Sequence, residues 1–263
     1  MKLTVLNLNA WLLPFRLSAQ NGKRLHTIFD LIRTIDPDII TLQEVWDISY
    51  LRQLKREFGD YSLLANTNKL FNESGLITFS RYPVIHNKLH RFKTNRKYKL
   101  LERLVKKGFM VTTIDVYGKE IDIVNTHLYQ SDPFSKETHK QITRKQLLCL
   151  QDFFKKSTRP VLACGDFNIH YDELKLQKLL FTLPNGKSLT TVSKNNEFSN
   201  KKFNKTRIMS RQLDYFMYKE NGVHISVTTK VFDELLVSDH YPLYAEVTFG
   251  TASRRKSFMR SST

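Results

Sequence analysis

Several polar side chains lie at the ends of strongly apolar stretches of the sequence, where burial would be costly unless they had a task. The set comprises Asn9, Glu44, Asn125, His127, Asp166, Asn168, Asp214, Asp239 and His240. Strand ends on one side of a sheet converge, so we expect these groups to line a single pocket. The set offers oxygen ligands for a hard cation, histidines for proton transfer, and acids to orient those histidines. This combination favours metal-assisted attack of water on a phosphate ester.

The cation expected at such a pocket is Mg²⁺, with Mn²⁺ as the alternative. The sequence has few carboxylates in the set and no Cys/His ligand spacing, which favours Mg²⁺ over Zn²⁺, because Mg²⁺ accepts few protein oxygens and keeps its waters. Each group alone has an ordinary structural explanation. Glu44 could be a helix cap or surface charge, His127 a core histidine, and Asp166 a cap on turn N–H groups. Only the complete set favours a catalytic pocket.

Short strands alternating with a few helices must position these residues. Apolar residues recur at helical spacing from Leu25 to Ile35, which predicts an amphipathic helix that ends at Asp36-Pro37. A second helix is predicted from about Thr138 to Lys156. Its inward-facing residues are expected to be Ile142, Leu148, Phe153 and Phe154. The predicted strands are Lys2–Asn9, Ile39–Leu42, Gly75–Phe79, Phe109–Tyr117, Ile121–Leu128, Val161–Cys164, Gln212–Tyr218, Val223–Val231 and Tyr241–Phe249.

The composition excludes several classes of protein. A chain of 263 residues with 41% hydrophobic residues has enough apolar mass for a packed core, which argues against disorder. Two cysteines are too few for a disulfide scaffold or a Cys-rich zinc module. Residues 1–20 resemble a first strand rather than a signal peptide, and no apolar stretch approaches the ~18 residues of a membrane span.

We therefore expect one catalytic domain over residues 1–250, followed by a short basic, disordered tail over residues 251–263. The protein is expected to be a monomer without a transmembrane segment. The absence of a signal peptide predicts a cytoplasmic location, with peripheral membrane association or signal-independent export as alternatives.

The net charge of +17 favours polyanionic partners, namely nucleic acid, an anionic membrane or phosphorylated substrates. Basic residues concentrate between His86 and Lys107, between Lys194 and Arg207, and in the tail. A solvated surface explains each of these stretches equally well. The segment Arg91–Lys107 is expected to form a long mobile loop. Charge alone does not distinguish DNA from lipid.

Seven motifs occur in a fixed order: LNLNAW, LQEVW, GLITFSRYP, VNTHL, CGDFN, QLDYF and SDHYPL. This ordered set resembles the endonuclease/exonuclease/phosphatase superfamily, which has the fold of pancreatic-type deoxyribonuclease. The resemblance implies a four-layer α/β sandwich, in which two mainly antiparallel sheets pack together and helices flank them. Within the superfamily, LNLNAWLLPF and CGDFNIHYDEL are most similar to neutral sphingomyelinases and related phospholipase C-type phosphodiesterases.

The resemblance assigns metal and proton-transfer roles. It implies that Glu44 holds Mg²⁺ and that Asn9 lies close to the same ion or its water shell. His240 is implied to be the general base on the attacking water, with Asp214 orienting it. Asp166 positions the water or shares the role of base. An imidazole with an ordinary pKa of about 6.5 would suit a base near neutral pH.

The resemblance also assigns contacts with the substrate. Asn168 is implied to hydrogen-bond a non-bridging phosphate oxygen, and His127 to donate to the developing phosphorane or to the leaving group. Asp239 is implied to reach the metal or a second ion. For Lys107, substrate contact and a solvated surface position are both open. The apolar stretch Trp11–Phe15 is expected to pack in the core rather than enter a bilayer.

The leading functional hypothesis is a Mg²⁺-dependent phosphodiesterase that removes the head group of a choline-type sphingolipid or phospholipid at a membrane surface. A DNA or RNA endonuclease of the same fold is the first alternative, and a phosphoinositide or inositol phosphate phosphatase is the second. A non-catalytic adaptor is disfavoured, because Glu44, His127, Asp166 and His240 are all present.

Overall fold

The computed structural model describes residues 1–15, 17–94, 98, 103, 105–130, 136–184, 188–202 and 210–251. The strands are β1 (Lys2–Leu12), β2 (Ile39–Val45), β3 (Ser62–Thr67), β4 (Asn72–Ser80), β5 (Val84–Arg91), β6 (Gly108–Val116), β7 (Lys119–His127), β8 (Val161–Asp166), β9 (Asp214–Lys219), β10 (Val223–Val231) and β11 (Leu243–Thr251). The helices are α1 (Asn21–Ile35), α2 (Ile48–Glu57), α3 (Glu137–Lys156), α4 (Tyr171–Lys175) and α5 (Glu197–Lys202).

The described strands form two sheets. The six-stranded sheet has the order β10-β11-β1-β2-β4-β3, and the five-stranded sheet has the order β5-β6-β7-β8-β9. Neighbouring strands are antiparallel except for one parallel pair in each sheet, β1–β2 and β7–β8. The strands of a parallel pair end at the same edge. Asn9 and Glu44 therefore end one pair, and His127 lies opposite Asp166 at the end of the other.

Apolar side chains hold the layers together. Between the sheets, residues of β1 and β2 pack with residues of β7 and β8, including Val5, Ile39, Ile123 and Leu162. Helices α1 and α2 cover the outer face of the six-stranded sheet. Helix α3 covers the outer face of the five-stranded sheet through Leu147, Leu150 and Phe154. The expected sandwich of two sheets flanked by helices is confirmed.

A buried polar layer crosses the interface between the sheets. Gln43 Nε2 donates to Asn7 Oδ1 at 2.9 Å and to Asn125 Oδ1 at 2.8 Å. Thr41 Oγ1 also donates to Asn7 Oδ1 and lies 3.2 Å from Cys164 Sγ. All five side chains are fully buried. Because a buried polar group is costly unless it is paired, this layer fixes one register between the sheets.

Several sequence predictions need correction. Helix α1 begins at Asn21, earlier than the apolar spacing indicated, and ends as expected before Asp36. On α3, Leu148 is 56% exposed, so its predicted inward orientation was wrong, and Leu147 takes the core position instead. The apolar patterns also missed α2, whose N-cap Asp47 accepts a hydrogen bond from Ser49 N. They missed β3 and β5, whose burial patterns are largely exposed or intermediate.

Predictions for residues 95–97, 99–102 and 104 of the basic segment, for residues 203–209 and for the tail after residue 251 lie outside the described residues. Among the helices of the described ranges, none combines the length and apolar character required to cross a membrane.

Candidate active site

Asn9 joins the two sheets at the edge where the parallel pairs end. Its Nδ2 donates to Glu44 Oε1 at 3.1 Å and to Asp166 Oδ2 at 3.0 Å. The backbone N–H of Trp11 donates to Asn9 Oδ1, which fixes the orientation of the amide. Asn9 thus presents a donor to the two carboxylates and positions them, and its contact with a metal stays a prediction.

The backbone is bent into unusual conformations at this edge. Trp11, Glu44 and Asn168 have φ values of 47°, 57° and 51°, in the left-handed region that non-glycine residues seldom adopt. Such conformations are held only where the surrounding structure determines them, and they concentrate at functional sites. They turn the chain sharply at the ends of β1, β2 and β8, which directs Glu44 and Asn168 into the cavity described below.

A histidine and two aspartates form the centre of the site. His240 Nδ1 lies 2.7 Å from Asp214 Oδ2, and His240 Nε2 lies 3.7 Å from Asp166 Oδ2. Asp214 and Asp166 face each other across the antiparallel pair β8–β9. All three side chains are buried. Asp214 therefore fixes the ring so that Nε2 points toward Asp166.

The pKa values of the histidine and the aspartate at this centre differ from the ordinary values expected from the sequence. Burial lowers the pKa of His240, but the carboxylates of Asp214 and Asp166 outweigh burial and raise it to about 10. Burial also raises the pKa of Asp166 to about 6, against the opposing charge of His240. The two carboxylates therefore favour the imidazolium form of His240. Positive charge near the carboxylates would offset this effect and favour the neutral ring, which is the form that can act as a base.

Lys107 and His127 form a second pair beside the carboxylates. Lys107 is only 6% exposed, and its Nζ lies 3.1 Å from His127 Nε2 and donates to the carbonyl of Leu128. An ammonium donates, so Nε2 of His127 accepts and its proton lies on Nδ1. His127 Nε2 lies 3.6 Å from Asp166 Oδ2 and 3.9 Å from Glu44 Oε1. Lys107 is therefore not the solvated surface lysine that the sequence left open.

Asn168 and Asp239 complete the set of predicted residues. Asn168 N donates to Asp166 Oδ1, and Asn168 Nδ2 donates to the Leu128 carbonyl at 3.1 Å. Asp239 is 2% exposed, and its Oδ1 accepts a hydrogen bond from Ser238 Oγ. Ser238 Oγ also donates to the carbonyl of Asn9 at 2.6 Å, which ties the chain before His240 to the end of β1.

These residues surround one cavity. Its lining consists of Glu44, Lys107, His127, Gln130, Asp166, Asn168, Val192, Arg211, Leu213, Asp239 and His240. Of the polar residues expected to line one pocket, all except Asn9, Asp214 and Asn125 line this cavity. Asn9 and Asp214 bond residues of the lining, whereas the expectation was wrong for Asn125, which is bonded to Gln43 in the polar layer between the sheets. Sequence reasoning missed Gln130 and Arg211, because neither stands at the end of an apolar run. It also missed Ser238, although the hydroxyl is part of the SDH motif.

The donor set fits a divalent cation. Glu44 and Asp166 each place a carboxylate oxygen near the single amide nitrogen of Asn9, so two negative groups lie side by side. Ligand atoms of Asp166, Asp214 and His240 also lie within 4.8 Å of one another, and all three residues are buried. Adjacent carboxylate oxygens suit a hard cation, because they offset its charge and leave room for water and phosphate.

Comparison with known proteins places this site in a family. The model for "Endonuclease/Exonuclease/phosphatase family" matches residues 6–240, which include every predicted site residue. The chain belongs to this family. The resemblance inferred from the ordered motifs is confirmed.

Family relatives among characterised proteins include lipid phosphodiesterases. The chain is 26% identical to sphingomyelin phosphodiesterase 2 of Homo sapiens over 274 residues, covering 93% of this chain and 64% of that protein. It is 26% identical over 183 residues to inositol phosphosphingolipids phospholipase C of Schizosaccharomyces pombe, covering 64% and 41%. The chain spans about half the length of the curated relatives it matches.

Solved structures of other proteins share the fold. A beta toxin from Staphylococcus aureus with bound magnesium ions has a TM-score of 0.73 at 20% identity, covering 95% of this chain and 100% of that one. A D. rerio TDP2 in complex with a single-strand DNA product has a TM-score of 0.63 at 16% identity, covering 94% and 99%. At these identities the similarity establishes the sandwich architecture.

Proposed function

We propose that this family member is a Mg²⁺-dependent phosphodiesterase that cleaves the head group from a sphingolipid or phospholipid. The observation that carries the proposal is the histidine held by Asp214 at 2.7 Å, with its free face toward Asp166 and the Glu44 carboxylate nearby. An imidazole oriented by one carboxylate and facing a cation-binding pair is suited to activating water for attack on phosphorus.

His240 and Asp166 act on the water. The water lies between His240 Nε2 and Asp166 Oδ2, whose separation of 3.7 Å allows both to contact it. As the water oxygen bonds to phosphorus, its proton passes to His240 Nε2, and Asp214 stabilises the resulting imidazolium. Glu44 and Asp166 would hold the cation. When bound, it neutralises charge on the phosphate and opposes the carboxylates that raise the His240 pKa.

Lys107, His127 and Asn168 act on the phosphate. The Lys107 ammonium and the Asn168 side chain line the cavity and supply donors for the phosphate oxygens. As the bond from phosphorus to the lipid oxygen breaks, the leaving oxygen takes a proton from His127 Nε2, which receives it from the Lys107 ammonium, so that His127 stays neutral and Lys107 becomes a neutral amine. Stabilising charge in this way is the main requirement in phosphoryl transfer.

An exposed apolar patch favours lipid over nucleic acid as substrate. Phe15 is 77% exposed, and Leu17 and Leu70 are each 68% exposed. The rings of Phe15 and Phe71 lie 6.1 Å apart, which joins the loop after β1 to the turn between β3 and β4. The expected core position of Trp11–Phe15 is thus wrong for Phe15. We name Phe15, Leu17 and Leu70 the apolar rim, and we propose that it rests on a bilayer in peripheral association.

The deciding experiment assays the purified protein with Mg²⁺ on sphingomyelin micelles, inositol-phosphate lipid micelles and supercoiled plasmid in parallel. His240→Ala and EDTA should abolish turnover. The control His224→Ala changes a histidine on β10 that is largely exposed and pairs with Glu220, and it should remain active. Release of a phosphorylated head group with intact plasmid supports the proposal. Plasmid nicking without head-group release would overturn the lipid substrate, and no turnover of any substrate would overturn the activity.

A further inference from the structure

Arg24 is a buried arginine behind the candidate site. It lies on α1, is 1% exposed, and is among the largest fully buried side chains of the described residues. Nε donates to the Ala19 carbonyl at 2.8 Å. Nη1 donates to the carbonyls of Ala10 and Val237 at 2.7 and 3.2 Å. Nη2 donates to the Trp11 carbonyl at 2.6 Å and to Asn21 Oδ1 at 2.8 Å. Every N–H of the guanidinium is therefore used.

Three of the five acceptors belong to the two chain segments that carry the chemistry, namely the carbonyls of Ala10, Trp11 and Val237. Ala10 and Trp11 directly follow Asn9, which holds the carboxylates of Glu44 and Asp166. Val237 lies three residues before His240, in the loop that enters β11. One planar group thus fixes the end of β1 against the loop that places the histidine. Ser238 Oγ reinforces this link through its hydrogen bond to the Asn9 carbonyl.

The surroundings of Arg24 suit a side chain that is both charged and planar. Its guanidinium lies 4.9 Å from the ring centroid of Trp11 and 5.6 Å from that of Phe198. Its hydrogen bonds described above go to carbonyl and amide oxygens, and burial lowers its pKa to about 10 against the opposing charge of Asp239. A buried cation carries a desolvation cost. A lysine would keep the charge but could not reproduce the planar array of donors.

We propose that Arg24 is a positioning residue for hydrolysis, setting the separation between the Asn9–Glu44–Asp166 group and the His240–Asp214 pair. This inference rests on the proposed function, because it assigns Arg24 to the same reaction. The side chain donates its five hydrogen bonds to residues outside the cavity lining. It acts through the carbonyls that it holds, so its loss displaces His240 relative to the carboxylates without removing a catalytic group.

The test compares Arg24→Lys and Arg24→Met with the wild type and with Leu54→Ala. Leu54 is a fully buried core residue of α2, so its truncation lowers stability away from the site. Steady-state kinetics are measured well below each melting temperature. Displacing reacting groups by about 1 Å can cost about 100-fold in rate, so we expect kcat to fall by about 10–100-fold in Arg24→Lys, with KM nearly unchanged. Arg24→Met should lose more, whereas Leu54→Ala should keep its kcat.

A second readout does not depend on turnover. The imidazole of His240 is followed by NMR in the metal-free protein, and Arg24→Lys should shift its resonances, whereas Leu54→Ala should not. Unchanged kcat and unchanged His240 resonances in folded Arg24→Lys would overturn the positioning role. If the wild type hydrolyses no phosphodiester, the proposed function fails, and the NMR comparison still decides whether Arg24 positions His240. If Arg24→Met does not fold, Arg24→Lys decides alone.

Discussion

Replacing Asp214 with asparagine tests the role of the buried histidine most directly. In the wild type, Asp214 Oδ2 lies 2.7 Å from His240 Nδ1 and raises the His240 pKa, which reaches about 10. A hydrogen bond to a charged group contributes about 1.5–3 kcal/mol, and one pKa unit corresponds to 1.36 kcal/mol. The pKa of His240 in Asp214→Asn should therefore fall by about 1–2 units.

The substitution should also change which nitrogen carries the proton once the His240 ring is neutral. At a pH above the pKa of His240, the amide of asparagine can donate to Nδ1, which leaves the proton on Nε2, the atom that must accept a proton from water. In a hydrolytic triad the equivalent change lowers kcat by about 10⁴-fold, and we expect a loss of about 10³–10⁴-fold here with little change in KM.

Two measurements check this expectation. NMR of the imidazole nitrogens in the metal-free protein gives the tautomer and pKa of His240, and steady-state kinetics on the lipid substrate give kcat and KM. The control is Asp122→Asn, which changes another buried aspartate, bonded to Thr113 and Ser157 away from the site. An Asp214→Asn protein with wild-type kcat and an unaltered His240 titration would refute the assignment of Asp214 and His240.

Three further changes test other parts of the structure. Lys107→Met removes a buried donor from the cavity and should lower kcat by about 10²-fold in steady-state assays, while circular dichroism stays native. Gly165→Ala should lower the free energy of unfolding by about 2–4 kcal/mol in urea titrations, because a Cβ there would lie 2.0 Å from the Thr126 carbonyl oxygen and φ is +148°. Phe15→Ser combined with Leu70→Ser should weaken sedimentation with lipid vesicles but preserve hydrolysis of a soluble phosphodiester.

Each of these changes has a matched control. Lys106→Met alters the neighbouring lysine, which is exposed and pairs with Glu73, and should keep its kcat. Gly22→Ala adds a Cβ with nothing within 4 Å and should not lower stability. Leu176→Ser removes a leucine that is more exposed than those of the apolar rim and lies outside it, and it should leave vesicle binding intact. If a control behaves like its test variant, the corresponding argument is wrong.

Much of the site could be predicted because the chemistry lies at strand ends. Polar residues after apolar runs are recognisable in one dimension, and the parallel pairs β1–β2 and β7–β8 bring those ends to one edge. The hydrophobic pattern gave the wrong inward-facing residue on α3, where a shift of one position changes which side chain faces the sheet. Leu147 and Leu148 are adjacent and equally apolar, and only packing against the sheet selects Leu147 for the core.

Other properties of the site depend on distances between residues that are far apart in the sequence and come together only in the folded structure. The pKa of His240 depends on Asp214, which is 26 residues away, and on Asp166, which is more distant still. The sequence does not distinguish Arg24 from the other charges of an amphipathic helix, because two of its carbonyl acceptors lie on β1 and on the loop before β11, which the pattern does not relate to α1. The cavity wall at Gln130 and Arg211 likewise depends on how loops fold back over the strand ends.

The polar layer between the sheets contains a thiol whose rate of alkylation can report how often the native fold opens. Cys164 is fully buried beside Thr41, and burial raises the pKa of its thiol to about 12, whereas Cys149 is exposed. An alkylating reagent should therefore modify Cys149 at once and Cys164 only when the sheets separate. That separation would also disrupt the Gln43–Asn125 hydrogen bond, which lies directly behind the site. The rate at which Cys164 is labelled would therefore measure how often the assembled catalytic arrangement comes apart and re-forms.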